Sequence, residues 1–332
     1  MIRLKDLGEI NLIERFRNNI SYPHSKIILG IGDDAAVVKN RANKYLVATT
    51  DFFIEDVHFD LKFSTFYQIG WKATAVNLSD IAAMGATPKY LLLSVGLPED
   101  LAISSWDEIC KGILDLSSKF KVHIIGGDMV KSHKLLINIT LLGEVAKDGY
   151  VSRRGIKRGE KLAVTGCLGD SKAGLNILKN QLDINKKERE ILINKHLFPY
   201  PKIKEGLIIS KYKVASSMMD ISDGLSSELY RLAQENEVGF KLYEEKIPCS
   251  PALLAFSQKT QDNPVEMALS GGEDYELLFT CQEERLKILQ KAKINYFIIG
   301  EVLPEKEIII LKKGGFIEKV ERSGYEHFKD IH

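Results

Sequence analysis

A chain of 332 residues, 45% hydrophobic and 27% charged, is long enough for two cores of roughly 150 residues each and is excluded from the disordered and fibrous classes. Its 46 Lys and Arg against 45 Asp and Glu leave a formal charge of +1. No whole-protein field therefore draws it to nucleic acid or an anionic membrane, and any phosphate chemistry has to be local.

In chain order, apolar Leu7, Ile10, Ile13 and Phe16 recur every third residue and predict an amphipathic helix over 6–17. Strands are expected at 26–29, 45–49 and 91–95, with a helix over about 68–84 between the last two. A second helix is expected at 108–120, then a strand at 121–125 entering Gly126-Gly127, and a long strand at 135–145 able to pair with it. The basic, glycine-flanked segment 152–159 marks a domain boundary, giving domains 1–150 and 151–332. Beyond it come a strand at 161–165, a helix near 171–179, and a charged surface connection at 180–190. A strand at 215–221 precedes a helix whose Leu225, Leu229 and Leu232 share one face, and strands at 275–281, 296–302 and 307–311 close the set.

Cys110, Cys167, Cys249 and Cys281 form no CxxC pair, which suits reduced intracellular thiols rather than a zinc site. Charged Lys5, Asp6, Glu9 and Glu14 interrupt the first 16 residues, unlike a signal peptide, and no stretch reaches the roughly 20 apolar residues a membrane crossing needs. Cytoplasmic residence is the expectation.

Acidic residues recur just after strands or beside glycine, serine and threonine: Gly32-Asp33-Asp34, Thr49-Thr50-Asp51, Leu78-Ser79-Asp80, Gly126-Gly127-Asp128, Asp220-Ile221-Ser222-Asp223 and Gly271-Gly272-Glu273-Asp274. Any one of these is equally what turns and helix caps prefer. Six together suit a cleft where converging carboxylates are offset by Mg²⁺ bridging the phosphates of ATP. Asp80 is the hardest to read as a turn residue, because its helix is apolar around most of its circumference and a carboxylate there needs a charge partner or a metal; Asn77 lies on the same side.

Two familiar nucleotide signatures fail. Residues 30–35 match GxGxxA, but Asp33 and Asp34 would face a pyrophosphate without a cation, and Ala36-Val37-Val38 leads to a polar turn rather than a long helix. The stretch Gly166–Ala173 has no Gly-Lys-Ser/Thr.

Five motifs then become specific together: Gly30-Ile31-Gly32-Asp33-Asp34-Ala35; Thr50-Asp51 with Val57-His58-Phe59; Val76 to Ala86; Asp220-Ile221-Ser222-Asp223-Gly224-Leu225; and Ser270-Gly271-Gly272-Glu273-Asp274-Tyr275-Glu276-Leu277. In this order, and over nearly the whole chain, they resemble the thiamine-monophosphate kinase family. The resemblance implies an α+β fold of two domains similar to aminoimidazole ribonucleotide synthetase, with mixed sheets and flanking helices. The first domain would carry ATP and Mg²⁺ binding and dimerisation, and the second would complete the active site. It implies transfer of the γ-phosphoryl of ATP to thiamine monophosphate, several Mg²⁺ ions, a homodimer, and no nucleic-acid or membrane partner.

Carried over by position, Asp34, Thr49, Thr50, Asp51, Asp80, Asp128, Asp220 and Asp223 fall at metal positions. Gly127, Asp128, Arg153 and Ser222 fall at ATP positions, and His58, Glu273 and Tyr325 at acceptor positions. No covalent nucleophile is expected, since phosphoryl transfer through a loose transition state needs positioning and positive charge. Two residues depart from the family pattern: Met129 replaces a threonine and Phe198 an arginine. Competing readings are another ATP-dependent enzyme of the superfamily, or a nucleotide and Mg²⁺ sensor without turnover. Selenophosphate synthetase would need an early reactive cysteine, whereas the first here is Cys110. The hydrogenase-maturation dehydratase would end in cysteine, whereas this chain ends Asp330-Ile331-His332.

Overall fold

The computed structural model describes residues 4–20, 26–182 and 184–328. Alternating apolar and polar residues make the long strands β3 (Lys44–Ile54) and β6 (Leu136–Ala146), whose inward side chains, such as Val47, Ile137, Ile139 and Leu141, are buried. With β1 (Ile27–Leu29), β2 (Ala36–Arg41), β4 (Thr87–Leu97) and β5 (His123–Lys131) they form a sheet ordered β1-β2-β3-β6-β4-β5. The strand β2 follows the acidic glycine turn where a dinucleotide fold would place a helix.

The expected pairing of 121–125 with 135–145 is not made. Helix α3 (Ile103–Lys119) carries the chain across from β4, so β5 returns parallel to β4. The evenly alternating β6 takes the central place between β3 and β4, while β5, exposed along its whole length, takes the edge. The expected apolar stripe of the first helix is only partly buried: α1 (Leu4–Arg17) is broken at Gly8, and Ile13 and Phe16 stay exposed.

Helix α2 (Phe66–Ala83) opens with a capping box, Thr65 accepting from the Gln68 N–H and Gln68 from the Thr65 N–H. Its all-round apolar surface is accounted for by its neighbours: one side packs on β3 and β6, another on α3, and a third on elements of the second half. The α2–α3 approach is close enough that a Cβ on Gly70 would meet the Ile109 carbonyl at 2.1 Å and one on Gly112 the Tyr67 carbonyl at 2.1 Å.

The second half contains β7 (Lys161–Val164), α4 (Asp170–Asn180), α5 (Lys186–Leu197), α6 (Ile203–Lys211), β8 (Ser217–Asp220), α7 (Leu225–Asn236), β9 (Gly239–Tyr243), α8 (Pro251–Thr260), α9 (Pro264–Ser270), β10 (Leu277–Cys281), α10 (Leu286–Lys291), β11 (Phe297–Leu303), β12 (Ile308–Leu311) and β13 (Ile317–Lys319). Its sheet is ordered β13-β12-β9-β11-β7-β10-β8 and is antiparallel except for β12 beside β9. The segment expected as a surface connection turns into α5, whose charged first turns face solvent while Leu192, His196 and Leu197 anchor it. One core cluster runs from the first sheet through α2 to Met218, Leu277 and Phe279 of the second, which brings the ends of α2 and β8 together. Among the described residues no helix is long and apolar enough to cross a membrane.

Candidate active site

Asp34 lies in the turn before β2, Asp80 in the last turns of α2, and Asp220 at the end of β8. One carboxylate oxygen of each falls within 4.8 Å of the others. Thr49, inward on β3, donates its hydroxyl to Asp80, and Ser79 donates to Asp220 at 2.5 Å. Asp51 faces the same nest, and its Oδ2 is buried. Arg153, from the connection between the sheets, grips Asp34 Oδ1 with Nε at 3.1 Å and Nη2 at 2.5 Å, and its backbone N–H donates to Asp33.

One guanidinium cannot offset this many acids. Burial, then Asp51, Asp220 and Asp34, push Asp80 well above the ordinary carboxylate range. Burial and Asp34 do the same to Asp220, burial raises Asp51, and burial with Asp34 takes Asp33 to about 7. Among the described residues, Asp34 Oδ2, Asp51 Oδ2 and Asn77 Oδ1 are buried without a hydrogen-bond partner. Short, hard oxygen donors with free lone pairs and uncompensated charge fit Mg²⁺, and the absence of His or Cys from the three-carboxylate group disfavours softer metals.

Beside this nest, Arg231 bridges Asp223 at 3.0 Å and Glu228 at 3.1 Å, while Glu228 accepts the Asp223 N–H at 3.0 Å and lies 3.4 Å from the Ser222 hydroxyl. Glu228 is fully buried, and burial raises it to about 7 against the pull of Arg231. Sequence reasoning missed it, although its place three after Leu225 and four before Leu232 sets a carboxylate on the apolar face of α7.

The Gly271–Tyr275 loop splits its two acids. Asp274 turns back to accept the Gly169 N–H at 2.8 Å at the start of α4, capping a helix whose own N-cap residue has no side chain to do so. Glu273, at φ 64°, turns the other way. Its Oε1 meets the buried Lys72 at 2.8 Å and its Oε2 meets His196 Nδ1 at 3.2 Å. Burial alone would raise Glu273, but Lys72 holds it below its usual range. Burial and Lys72 push His196 down to about 3, so it meets Glu273 as a neutral ring and not in an ion pair, while its Nδ1 shares a hydrogen bond with the Ser171 hydroxyl at 3.0 Å. Lys72 and His196 were not expected at the site; Lys72 is a charge inside an apolar helix pattern, the same signal that marked Asp80.

His58 sits on the tight turn after β3, its Nδ1 accepting the Ile54 N–H at 3.1 Å. The Tyr325 N–H donates to the Asp223 carbonyl at 3.1 Å, placing the C-terminal segment beside the acidic nest. The remaining expected residues lie apart. Thr50 points to the other face of β3, toward Thr140 and Asn138. Gly127 and Asp128 lie on the exposed edge strand β5, outside the three-carboxylate group. Phe198, where the family pattern has arginine, packs edge-on to Trp71 at 5.8 Å.

This pair of mixed sheets, with a carboxylate nest where they meet, defines a two-domain α+β class. Residues 32–145 match the AIR synthase related protein N-terminal domain and residues 157–313 its C-terminal domain. The chain is 38% identical over 330 residues to the thiamine-monophosphate kinase of Aquifex aeolicus, covering 98% of this chain and 100% of that one. It is 36% identical over 314 residues to that of Bacillus subtilis, covering 92% and 95%. A solved structure of AaThiL complexed with AMPPCP and TMP superposes with a TM-score of 0.88 at 36% identity, covering 98% of this chain and 99% of that one. The chain belongs to the thiamine-monophosphate kinase family.

Proposed function

We infer that this chain is a kinase that transfers the terminal phosphoryl group of ATP to thiamine monophosphate, yielding thiamine diphosphate and ADP. Full-length kinship to named kinases supports it, as does the likeness to a relative held with an ATP analogue and TMP. The observation that carries it is the convergence of Asp34, Asp80 and Asp220, drawn from three distant parts of the sequence, with Arg153 the one cation in contact among the described residues.

Asp34, Thr49, Asp51, Asp80 and Asp220, with Asp223 beside them, would hold Mg²⁺, which when bound neutralises the carboxylates and the triphosphate and stabilises charge developing on the transferred group; Thr50, on the opposite face of β3, and Asp128, on the edge strand β5, stand outside that set. Gly127, Asp128, Arg153 and Ser222 contact ATP, Arg153 adding a fixed positive charge. His58, Glu273 and Tyr325 bind the acceptor. An oxygen of the acceptor's phosphate attacks the γ-phosphorus as the bond to the β-phosphate oxygen breaks and ADP leaves. That oxygen is already ionised near neutral pH, so neither a general base nor a covalent enzyme intermediate is needed. Because Lys72 already offsets Glu273, the acceptor meets a polarised carboxylate rather than a bare charge.

In this reading residues 1–150 carry ATP, Mg²⁺ and the dimer contact, and residues 151–332 complete the site. Two copies would pair through β5, which among the described residues has a strand neighbour on one side only and whose Ile125, Met129 and Val130 are exposed; pairing would also enclose Asp128. Cytoplasmic residence accords with four free cysteines.

Coupled ADP release with thiamine monophosphate, thiamine or buffer alone as acceptor tests the reading, with thiamine diphosphate identified as product. ADP released only with the monophosphate is expected. Tight ATP binding with no ADP would leave a sensor instead.

A further inference from the structure

The C-terminal segment 320–328 is tied down along its length. Tyr230 donates to the Val320 carbonyl at 2.8 Å, Ser226 and Ser227 both donate to the Ser323 carbonyl, and the Ser323 N–H returns a bond to Ser226. Gly324, at φ 127°, passes so close to the Asp223 carbonyl that a Cβ would meet it at 2.4 Å. The Tyr325 N–H donates to that same carbonyl. These contacts fix the segment on the first turns of α7, next to Asp223, rather than letting it fray as a chain end would.

What the segment delivers is His327. Its ring stands 4.8 Å from that of Tyr325, nearly perpendicular at 87°, and its Nδ1 is 3.1 Å from the Tyr325 hydroxyl. On its other side it meets His58 edge-on, ring centroids 5.4 Å apart. His58 is itself backed by Phe53, stacked at 5.7 Å, and oriented by the Ile54 N–H on its Nδ1. With Nδ1 accepting, the neutral ring keeps its proton on Nε2. Burial and the neighbouring His327 lower His58, against the influence of Glu273, which keeps that neutral form dominant near pH 7.

His327 thus joins two residues assigned to the acceptor that come from distant parts of the chain. We propose that His327 is a specificity-determining residue of the acceptor pocket, closing a wall of His58, His327 and Tyr325 against the heteroaromatic ring of the acceptor. Two imidazoles and a phenol offer stacking faces together with hydrogen-bond donors and acceptors, which suits a nitrogen heterocycle. The inference rests on the kinase reading above.

The test compares His327→Phe, which keeps a packed ring but no nitrogen, with His327→Asn, which keeps a polar partner for Tyr325. Both are measured in the full-length protein for the KM of thiamine monophosphate, the KM of ATP and kcat. His327→Phe should raise the acceptor KM about ten-fold, the worth of one lost hydrogen bond, with the ATP KM moving less than about two-fold. His327→Asn should recover part of the loss. Adding Tyr325→Phe to His327→Phe should cost less than Tyr325→Phe alone, since the shared bond is already gone. An unchanged acceptor KM, or equal rises in both KM values, would overturn the proposal. Failure of the kinase reading looks different: the unmodified protein would then release no ADP with thiamine monophosphate at all.

Discussion

The Ser79 hydroxyl, on α2, donates to the Asp220 carboxylate at the end of β8 across 2.5 Å. This one bond spans 141 residues of sequence and joins the helix packed on the first sheet to the edge strand of the second. Asp80, the next residue along α2, then points its carboxylate at Asp34 and Asp220, so the junction of the two halves and the acidic nest are the same place. Catalytic geometry therefore depends on how α2 sits between the sheets.

Asp80→Asn keeps the volume and removes a charge that Asp51, Asp220 and Asp34 all repel. With Mg²⁺ and both substrates saturating, kcat should fall by roughly 10²- to 10⁴-fold, the range for loss of a charge-stabilising group. The metal-free protein should at the same time be no less stable than the unmodified one, because repulsion is relieved. Turnover and thermal unfolding measured side by side check this. Unchanged turnover would remove Asp80 from the metal set.

Stability should depend on pH and Mg²⁺ together. Asp33 and Glu228 are raised to about 7 from 3.8 and 4.5, so the folded state holds these protons more tightly than the unfolded chain. Their contribution is complete below the unfolded values and is lost as pH rises through about 7. His196 has the opposite sign but a lower window: lowered from 6.5 to about 3, it favours folding increasingly as pH rises to 6.5 and is level above. From pH 6.5 to about 8 the carboxyl effect governs, and the metal-free protein should lose about 3–6 °C of melting temperature. Millimolar Mg²⁺ should flatten that slope. Calorimetry with chelator and with Mg²⁺ reads both curves, and a level metal-free curve would count against an uncompensated nest.

Much of this was legible from residue pattern alone. The alternation in 136–146 and the apolar run of α2 gave β6 and α2 nearly to their ends, and a carboxylate inside that run marked Asp80. Strand neighbours were not legible, because pairing is set by which strand needs cover on both sides, and the 121–125 segment looked adjacent to 135–145 only along the chain. Nor was the division of labour in Gly271-Gly272-Glu273-Asp274. Asp274 serves α4 and Glu273 serves Lys72, a split decided by two partners more than 100 residues away in Gly169 and about 200 away in Lys72. His327 gave no signal, since its partners are His58 and Tyr325 and neither spacing is periodic.

The β5 edge gives a prediction about assembly. Ile125→Lys or Val130→Lys places a charge on a strand whose apolar side chains are exposed and which, among the described residues, has a strand neighbour on one side only. Either should convert a dimer to monomers in sedimentation at micromolar concentration, with melting of the separated chain little changed. If Asp128 works only once β5 is covered, activity should fall with the dimer and recover at high protein concentration. A chain that sediments as a monomer before any substitution would remove the dimer from the reading.

The buried pair of Lys72 and Glu273 separates binding from stability. Glu273→Gln leaves the Lys72 ammonium inside the protein with only His196, 3.5 Å away, as a partner. The cost should be about 3–5 kcal/mol, the range for a buried charge deprived of its counter-ion. Lys72→Met with Glu273→Gln removes both charges and should restore most of that stability, since an apolar stem suits the packed interior of α2. Acceptor binding should not follow: if Glu273 meets the cationic ring of thiamine monophosphate, the acceptor KM stays raised in the double variant while the ATP KM is near that of the unmodified protein. Chemical denaturation and steady-state kinetics on the single and double variants give both quantities. Recovery of the acceptor KM along with stability would show that Glu273 acts only by holding Lys72 and its loop in place.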